Sequence, residues 1–319
     1  LTTHTLKTKY SEVPFRGALP PEIASGLVLA EQLEARLPEK ALELYARLAD
    51  VNTRQLHALS RATGQRPAAP PARPPAALPV ATGPAPPFAT LLREGQIAAG
   101  NPLIFGFSNG QPQYRHPQEI KSMAVAGWQG SGKTLTSGYI VACLLLQYPT
   151  SEVYIIDPHH KHAESLTTLV KPLAVTPRLH LINPFDTPAI LRTLNTTLDD
   201  RLENRQPSEP PLFLIIDELA RLGKSLSDAD FNAFIAFLER CTEETRKANL
   251  CFWGISQKWS ARNFKNRKDI RECMPSLLIH KTKQGQAELL LEGRAEKKLV
   301  QRLSHPGEAL LATSHDTDP

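Results

Sequence analysis

The chain has 319 residues, 41% of them hydrophobic, with 37 Lys and Arg against 32 Asp and Glu for a formal net charge of +5. That length and apolar content exclude a wholly disordered protein and suit one sizeable α/β core with a small accessory domain; the charge permits nucleic-acid binding without demanding it. No apolar run approaches the roughly 20 residues of a membrane-spanning helix, the four cysteines show neither zinc nor disulfide spacing, and no charged-then-apolar leader follows Leu1, so the expectation is a cytoplasmic protein.

Pro21 opens the first predicted helix, with Ile23, Leu27, Ala30, Leu33 and Leu37 on its apolar face and Pro38 at its end. A second spans Glu39 to about Ala49. Asn52 caps a third that buries Leu56 and Leu59, closes at Gly64 and leaves Arg54, His57 and Arg61 on its open side. Residues 1–63 thus read as a small all-α unit, in outline either a helix-turn-helix or a plain three-helix docking or oligomerisation unit. From Gly64 to Pro87 the chain is almost wholly Pro, Ala and Gly, a composition that cannot bury a core, so residues 64–88 read as a linker. The remaining residues, 89–319, carry the recognisable chemistry.

Leu103 to Phe107 and Gln111 to Tyr114 flank Asn109-Gly110, a hairpin signal. Short apolar strands then alternate with helical patterns: Met123 to Ala126, Val153 to Ile156, Leu179 to Ile182, Leu212 to Ile216, Leu250 to Ile255, Leu277 to Ile279 and Ala309 to Ala312. The alternation predicts an α/β fold with a mostly parallel sheet covered by helices.

The first of these strands runs into GWQGSGKT, formed by Gly127, Trp128, Gln129, Gly130, Ser131, Gly132, Lys133 and Thr134. This is the full Walker A spacing, followed by a helical pattern to Gln147. The glycines let successive N–H groups face phosphate oxygens at a helix N-terminus; Lys133 would reach the β- and γ-phosphates of ATP, and Thr134 would ligate Mg²⁺. Leu212 to Ile216 delivers Asp217 and Glu218, the Walker B pair, with Asp217 a second Mg²⁺ ligand through water and Glu218 the base that activates the attacking water. Gln257, at the end of Leu250 to Ile255, is placed to sense the γ-phosphate or the lytic water.

Taken in order, these segments resemble the FtsK/SpoIIIE translocase motor over roughly Pro102 to Ser314. The match includes the NPLIFGFSNGQPQY hairpin, MAVAGWQGSGKT, VYIIDPHH with Asp157-Pro158, PLFLIIDELARL, CMPSLLIH and GEALLATS. The resemblance implies a RecA-like P-loop ATPase, a homo-oligomeric, hexameric ring, and translocation of double-stranded DNA. It also implies that Arg246, near the end of a predicted helix from Phe231 to Lys247, is inserted into the neighbouring subunit's ATP site; Arg240 is the second candidate. At Ser256-Gln257-Lys258-Trp259-Ser260, at Asp157-Pro158-His159 and at Gln284 to Glu288 the chain departs from the family pattern. These departures suit a plasmid, phage or integrative-element motor better than chromosome segregation.

Lys258, Arg262, Lys265, Arg267, Lys268 and Arg271 crowd a short segment with Trp259 and Phe264 interleaved. Basic side chains there would track DNA phosphates without reading sequence, while Trp259 reads better as a packed anchor than as a stacking platform. Other functions compatible with the sequence are a conjugative coupling or viral DNA-packaging ATPase and a nucleotide-switched DNA-binding regulator without translocation.

Overall fold

A computed structural model of the chain describes residues 3–7, 12–16, 86–108, 110–204, 210–291 and 297–313, with the backbone alone at 3–7, 12–16, 245–246 and 297–298. The helices predicted between Pro21 and Gly64, and the linker as far as Ala85, lie outside the described residues. Ahead of them, β1 (Thr3–Lys7) pairs antiparallel with β2 (Glu12–Arg16). This strand pair is no part of the all-helical expectation for residues 1–63. Thr3, Thr5, Val13 and Phe15 are β-branched or aromatic residues at alternate positions, a period-2 signal to which a search for helical periodicity is blind.

The chain divides into two compact units. The first contains, besides β1 and β2, helix α1 (Phe88–Arg93), the hairpin of β3 (Leu103–Ser108) and β4 (Gln111–Arg115), and the segments 142–149 and 172–177. The hairpin pairs Leu103 with Arg115 and Ser108 with Gln111. Gln147 ties this unit together, its carbonyl accepting from the Gly100 N–H at 2.7 Å and its Nε2 donating to the Pro102 carbonyl at 2.7 Å.

The second unit holds the sheet. In chain order it comprises α2 (Pro117–Ile120), β5 (Met123–Ala126), the start of α3 (Lys133–Gln147), β6 (Glu152–Ile156), α4 (Leu166–Val170), β7 (Leu179–Ile182), α5 (Thr187–Asn204), β8 (Leu212–Ile216), α6 (Leu219–Ser225), α7 (Asp228–Ala248), β9 (Leu250–Ser256), β10 (Ser276–His280), α8 (Gln284–Leu290), α9 (Lys297–Val300) and β11 (Ala309–Ala312). The seven strands lie in the order β11-β10-β5-β9-β8-β6-β7. Every neighbouring pair is parallel except β10 and β11, so the sheet is mostly parallel with one antiparallel edge strand.

Every residue of β5, β8, β9 and β10 is buried, because a strand covered on both faces has no water-facing side to supply alternation. On one face Leu212, Leu214 and Ile216 join Leu191, Leu194 and Leu198 of α5 and Phe231, Phe234 and Leu238 of α7 in a single core. On the other, Phe213 meets Trp253 with ring centroids 5.4 Å apart, and the Trp253 indole donates to the Lys121 carbonyl at 3.0 Å. Both ends of α7 are chemically marked. Ser227 accepts from the Asp230 N–H at 3.1 Å, and Asn249 takes the left-handed conformation that ends the helix, at φ 50° and ψ 39°.

Candidate active site

Parallel order sends the carboxyl ends of β5, β6, β8, β9 and β10 to one edge of the sheet, where a doubly wound fold binds its ligands. The loop after β5 and the acids after β8 are not on adjacent strands. Strand β9 lies between them, with Ala126 beside Ser256 and Ile216 beside Gly254. Gln257 therefore emerges between the phosphate-binding loop and the acidic pair.

The loop is built by close approach. A Cβ on Gly127 would collide with Ser131 Oγ, stand 2.8 Å from His280 Cβ and 3.2 Å from Lys133 Cγ; one on Gly132, where φ is +99°, would lie 2.6 Å from the Gly307 nitrogen. Neither position has room for any residue but glycine. The Trp128 N–H donates to the Lys281 carbonyl at 3.1 Å, and the Gly307 N–H donates to the Ser131 carbonyl at 3.0 Å. Trp128, Gln129 and Gly130 are exposed, Gly132 and Thr134 half-buried, and Ser131 is buried with an Oγ that meets no partner among the described residues.

Lys133 is 7% exposed, and its Nζ donates to the Trp128 carbonyl at 2.8 Å. Burial lowers its pKa, opposed by the charges of Glu218 and then Asp217. A buried ammonium inside a loop of backbone donors, with two acids within electrostatic reach, matches what a nucleotide polyphosphate requires. Asp217 is pushed up to about 7, chiefly by burial and then by Asp157 and Glu218, against the Glu218 N–H and Lys133, which favour its charge. That N–H donates to Asp217 Oδ1 at 2.9 Å. A divalent cation, held by Asp217 and the Thr134 hydroxyl together with phosphate oxygens, would relieve this crowding of negative charge.

Glu218 itself sits at φ 45° and ψ 49°, a left-handed conformation that costs a residue with a Cβ about 1–3 kcal/mol and is concentrated at functional sites. Its Oε1 accepts from Gln257 Nε2 at 2.9 Å, so the residue expected to sense hydrolysis holds the expected base directly. Asp157, fully buried, accepts from the N–H groups of His159 at 2.7 Å and Thr167 at 3.0 Å, which pins the loop after β6 beside Asp217. Its charge adds to the upward push on Asp217, and an Asp-Pro at a strand end was its only mark in the sequence. Two other groups at this edge carry no sequence signal of their own. Arg221 donates to His159 Nε2 at 3.1 Å, and His280 is buried against the phosphate-binding loop.

The other residues singled out in the sequence divide by their partners. Lys265 donates to the Leu226 carbonyl at 2.8 Å and to Asp228 at 2.7 Å, and Arg267 clasps Asp269 through Nε, at 3.0 and 2.9 Å, and through Nη2. Both are occupied within the chain. Lys258, Arg262 and Lys268 are exposed, and Arg271 is half-buried. Trp259 is fully buried and donates from its indole to the Ser256 carbonyl at 3.1 Å, the packed anchor its surroundings suggested. Arg240 is bonded to Asn195 and Asp199 of α5. Arg246 lies in the last turns of α7, and its side chain is outside the described residues.

No family model matches the chain, and no curated protein matches it in sequence. Solved structures do. The cytoplasmic domain of the Thermomonospora curvata type VII secretion ATPase EccC is 16% identical, with a TM-score of 0.50, over 67% of this chain and 25% of that one. ATPases 2 and 3 of T. curvata EccC, in complex with a signal sequence peptide, are 16% identical, with a TM-score of 0.52, over 75% and 42%. The pCW3 conjugation coupling protein TcpA, in its monomer form with ATPγS, is 15% identical, with a TM-score of 0.54, over 75% and 68%. The chain thus spans a quarter to about two-fifths of the EccC structures and about two-thirds of TcpA. At these identities the likeness is one of fold. That fold is the RecA-like P-loop fold, a mostly parallel sheet covered by helices, as the order of the motifs implied.

Proposed function

We propose that the chain is an ATP-hydrolysing motor domain that works as a hexameric ring and moves double-stranded DNA. The observation that carries this reading is the Gln257–Glu218 hydrogen bond, set between the phosphate-binding loop and Asp217. It joins the expected base to a residue whose next neighbour, Lys258, begins the basic segment. Within this reading, the loop N–H groups and Lys133 bind and orient the β- and γ-phosphates. Bound Mg²⁺ supplies charge compensation on the phosphates, and Thr134 and Asp217 are the residues that would hold it. Glu218 orients a water and takes its proton, Gln257 keeps the carboxylate aimed, and Arg246 of one subunit stabilises charge at the next subunit's site. A shift of Gln257 as Glu218 gains and loses that proton would be felt at Lys258 through one peptide bond.

The substrate assignment is supported by Lys258, Arg262 and Lys268, which are exposed and have the chemistry to follow a phosphate backbone. Displacement of a triplex-forming strand from duplex DNA, with and without ATP, tests it. ATP-dependent displacement is expected; ATP-dependent retention on DNA with slow turnover and no displacement would leave a nucleotide switch instead. The likeness to a conjugation coupling protein favours a second reading, a motor that drives a single strand. Stimulation of the ATPase by single-stranded rather than double-stranded DNA would select it, and stimulation by neither would point to a protein cargo.

A further inference from the structure

His280 ends β10, whose neighbour β5 leads into the phosphate-binding loop, and the register that sets Ile279 beside Ala126 brings His280 alongside Gly127. The side chain is fully buried. Its Nδ1 lies 3.1 Å from the Glu308 carbonyl oxygen. A carbonyl only accepts, so the proton is on Nδ1 and the bare lone pair on Nε2. That Nε2 is buried and meets no hydrogen-bond partner among the described residues. Leaving a buried acceptor unmade is costly, and an apolar side chain of similar size would fill the position without the cost. The donor on Nδ1 is what such a replacement would lose.

The partner of that donor is well placed. Glu308 closes a turn braced by its own carboxylate, which accepts from the N–H groups of Ser304 at 2.6 Å and His305 at 3.0 Å. In the same turn Gly307 donates to the Ser131 carbonyl and packs on Gly132 with no space for a Cβ between them. The turn thus meets the phosphate-binding loop directly at Ser131 and Gly132, and meets it again through His280, which touches Gly127.

We propose that His280 is a positioning residue for the phosphate-binding loop, its Nδ1–H fastening the Ser304–Glu308 turn so that Gly307 braces the loop from behind. This rests on the reading of the loop as an ATP site for its functional consequence, but the tether itself is independent of nucleotide. Loosening the brace weakens how the phosphates are held in ground and transition states alike, so KM for Mg-ATP rises while kcat is kept.

Asparagine places an N–H donor close to where Nδ1 stands, and glutamine mimics Nε2 instead, so the two replacements separate the atoms. H280N is expected to keep KM for Mg-ATP within about threefold of the parent, whereas H280Q and H280L raise it about tenfold, the worth of one hydrogen bond, with kcat near the parent value. Hydrogen exchange at the Gly307 amide reads the tether without nucleotide: exchange is about tenfold faster in H280Q and H280L and unchanged in H280N. Should H280L fail to fold, the comparison of H280Q with H280N still decides. Equal behaviour of H280N and H280Q, or retention by H280Q alone, overturns the proposal. If the parent itself fails to turn over ATP while the exchange pattern holds, the ATP reading falls and the tether stands.

Discussion

A buried neutral histidine beside a lysine makes the fold sensitive to acid in a way that one substitution isolates. Burial, with the charge of Lys133 as a smaller contribution, lowers the His280 pKa from 6.5 to about 4, against the favourable Glu308 carbonyl. The folded value is depressed, so the stability it represents is complete above about pH 6.5 and is lost as pH falls towards 4, because the unfolded chain takes up the proton first. At about pH 5 the unfolded ring is almost wholly protonated while the native ring is neutral, a loss of about 2 kcal/mol, rising to about 3 kcal/mol below pH 4. Asp217 acts in the opposite sense. Its carboxyl is raised to about 7, so its contribution is present in acid and lost as pH rises through 7, which offsets the histidine effect in the parent protein. Asparagine at 280 cannot titrate and keeps the donor, so the difference between parent and H280N removes Asp217 and every other common group. Urea unfolding followed by the fluorescence of buried Trp253 and Trp259, at about pH 7.5 and about pH 5, should show the parent losing about 2 kcal/mol more than H280N. Parallel losses in the two proteins would refute the reasoning, since His280 would then be protonated, or exposed, in the folded state.

Replacing Lys133 with Ala should weaken ATP binding and abolish turnover, and parental hydrolysis by that variant would remove the loop assignment; Glu218→Gln should retain bound ATP while single-turnover hydrolysis slows at least about a hundredfold. Arg246→Ala should bind ATP nearly normally but lose about a thousandfold in turnover, with partial recovery on mixing with Lys133→Ala subunits; a mixing curve that never exceeds the sum of the separate rates would exclude a shared site. Arg240, already bonded to Asn195 and Asp199, should when replaced by Ala lower stability by about 1 kcal/mol and leave turnover within about threefold, and a collapse of turnover there would make it the finger instead. Neutralising Lys258, Arg262 and Lys268 together should weaken duplex binding and flatten its dependence on log salt by about two to three units, while neutralising Lys265 or Arg267 should show first in melting temperature.

The strands were legible because they are buried on both faces. Leu212 to Ile216 and Leu250 to Ile255 are apolar without a break, and the sequence placed their ends within one residue of those observed. Gly127 to Thr134 was legible for a different reason, since backbone geometry at Gly127 and Gly132 admits no side chain and so leaves a fixed spelling. Helix ends were marked less sharply. The helix expected from Phe231 starts at Asp228, where Ser227 caps it, and stops at a left-handed Asn249.

Residue order alone thus determined the sheet-forming segments, the glycine-rich loop Gly127–Thr134 and the acids at the end of β8, because each is a local pattern of apolar runs, glycines and a strand-end carboxylate. Pairing across the chain was decided by the tertiary structure alone. That β9 lies between β5 and β8, so that Gln257 reaches Glu218, depends on which buried strands exchange hydrogen bonds, and runs of similar apolar residues do not encode their neighbours. The same holds for the basic segment, where identical charges are sorted by contact. Lys265 and Arg267 find Asp228 and Asp269, while Lys258, Arg262 and Lys268 remain exposed to solvent. His280 is the extreme case: a lone histidine at the end of a strand has no signature, and only the meeting of β10, the phosphate-binding loop and the Ser304–Glu308 turn gives its two nitrogens different chemistry.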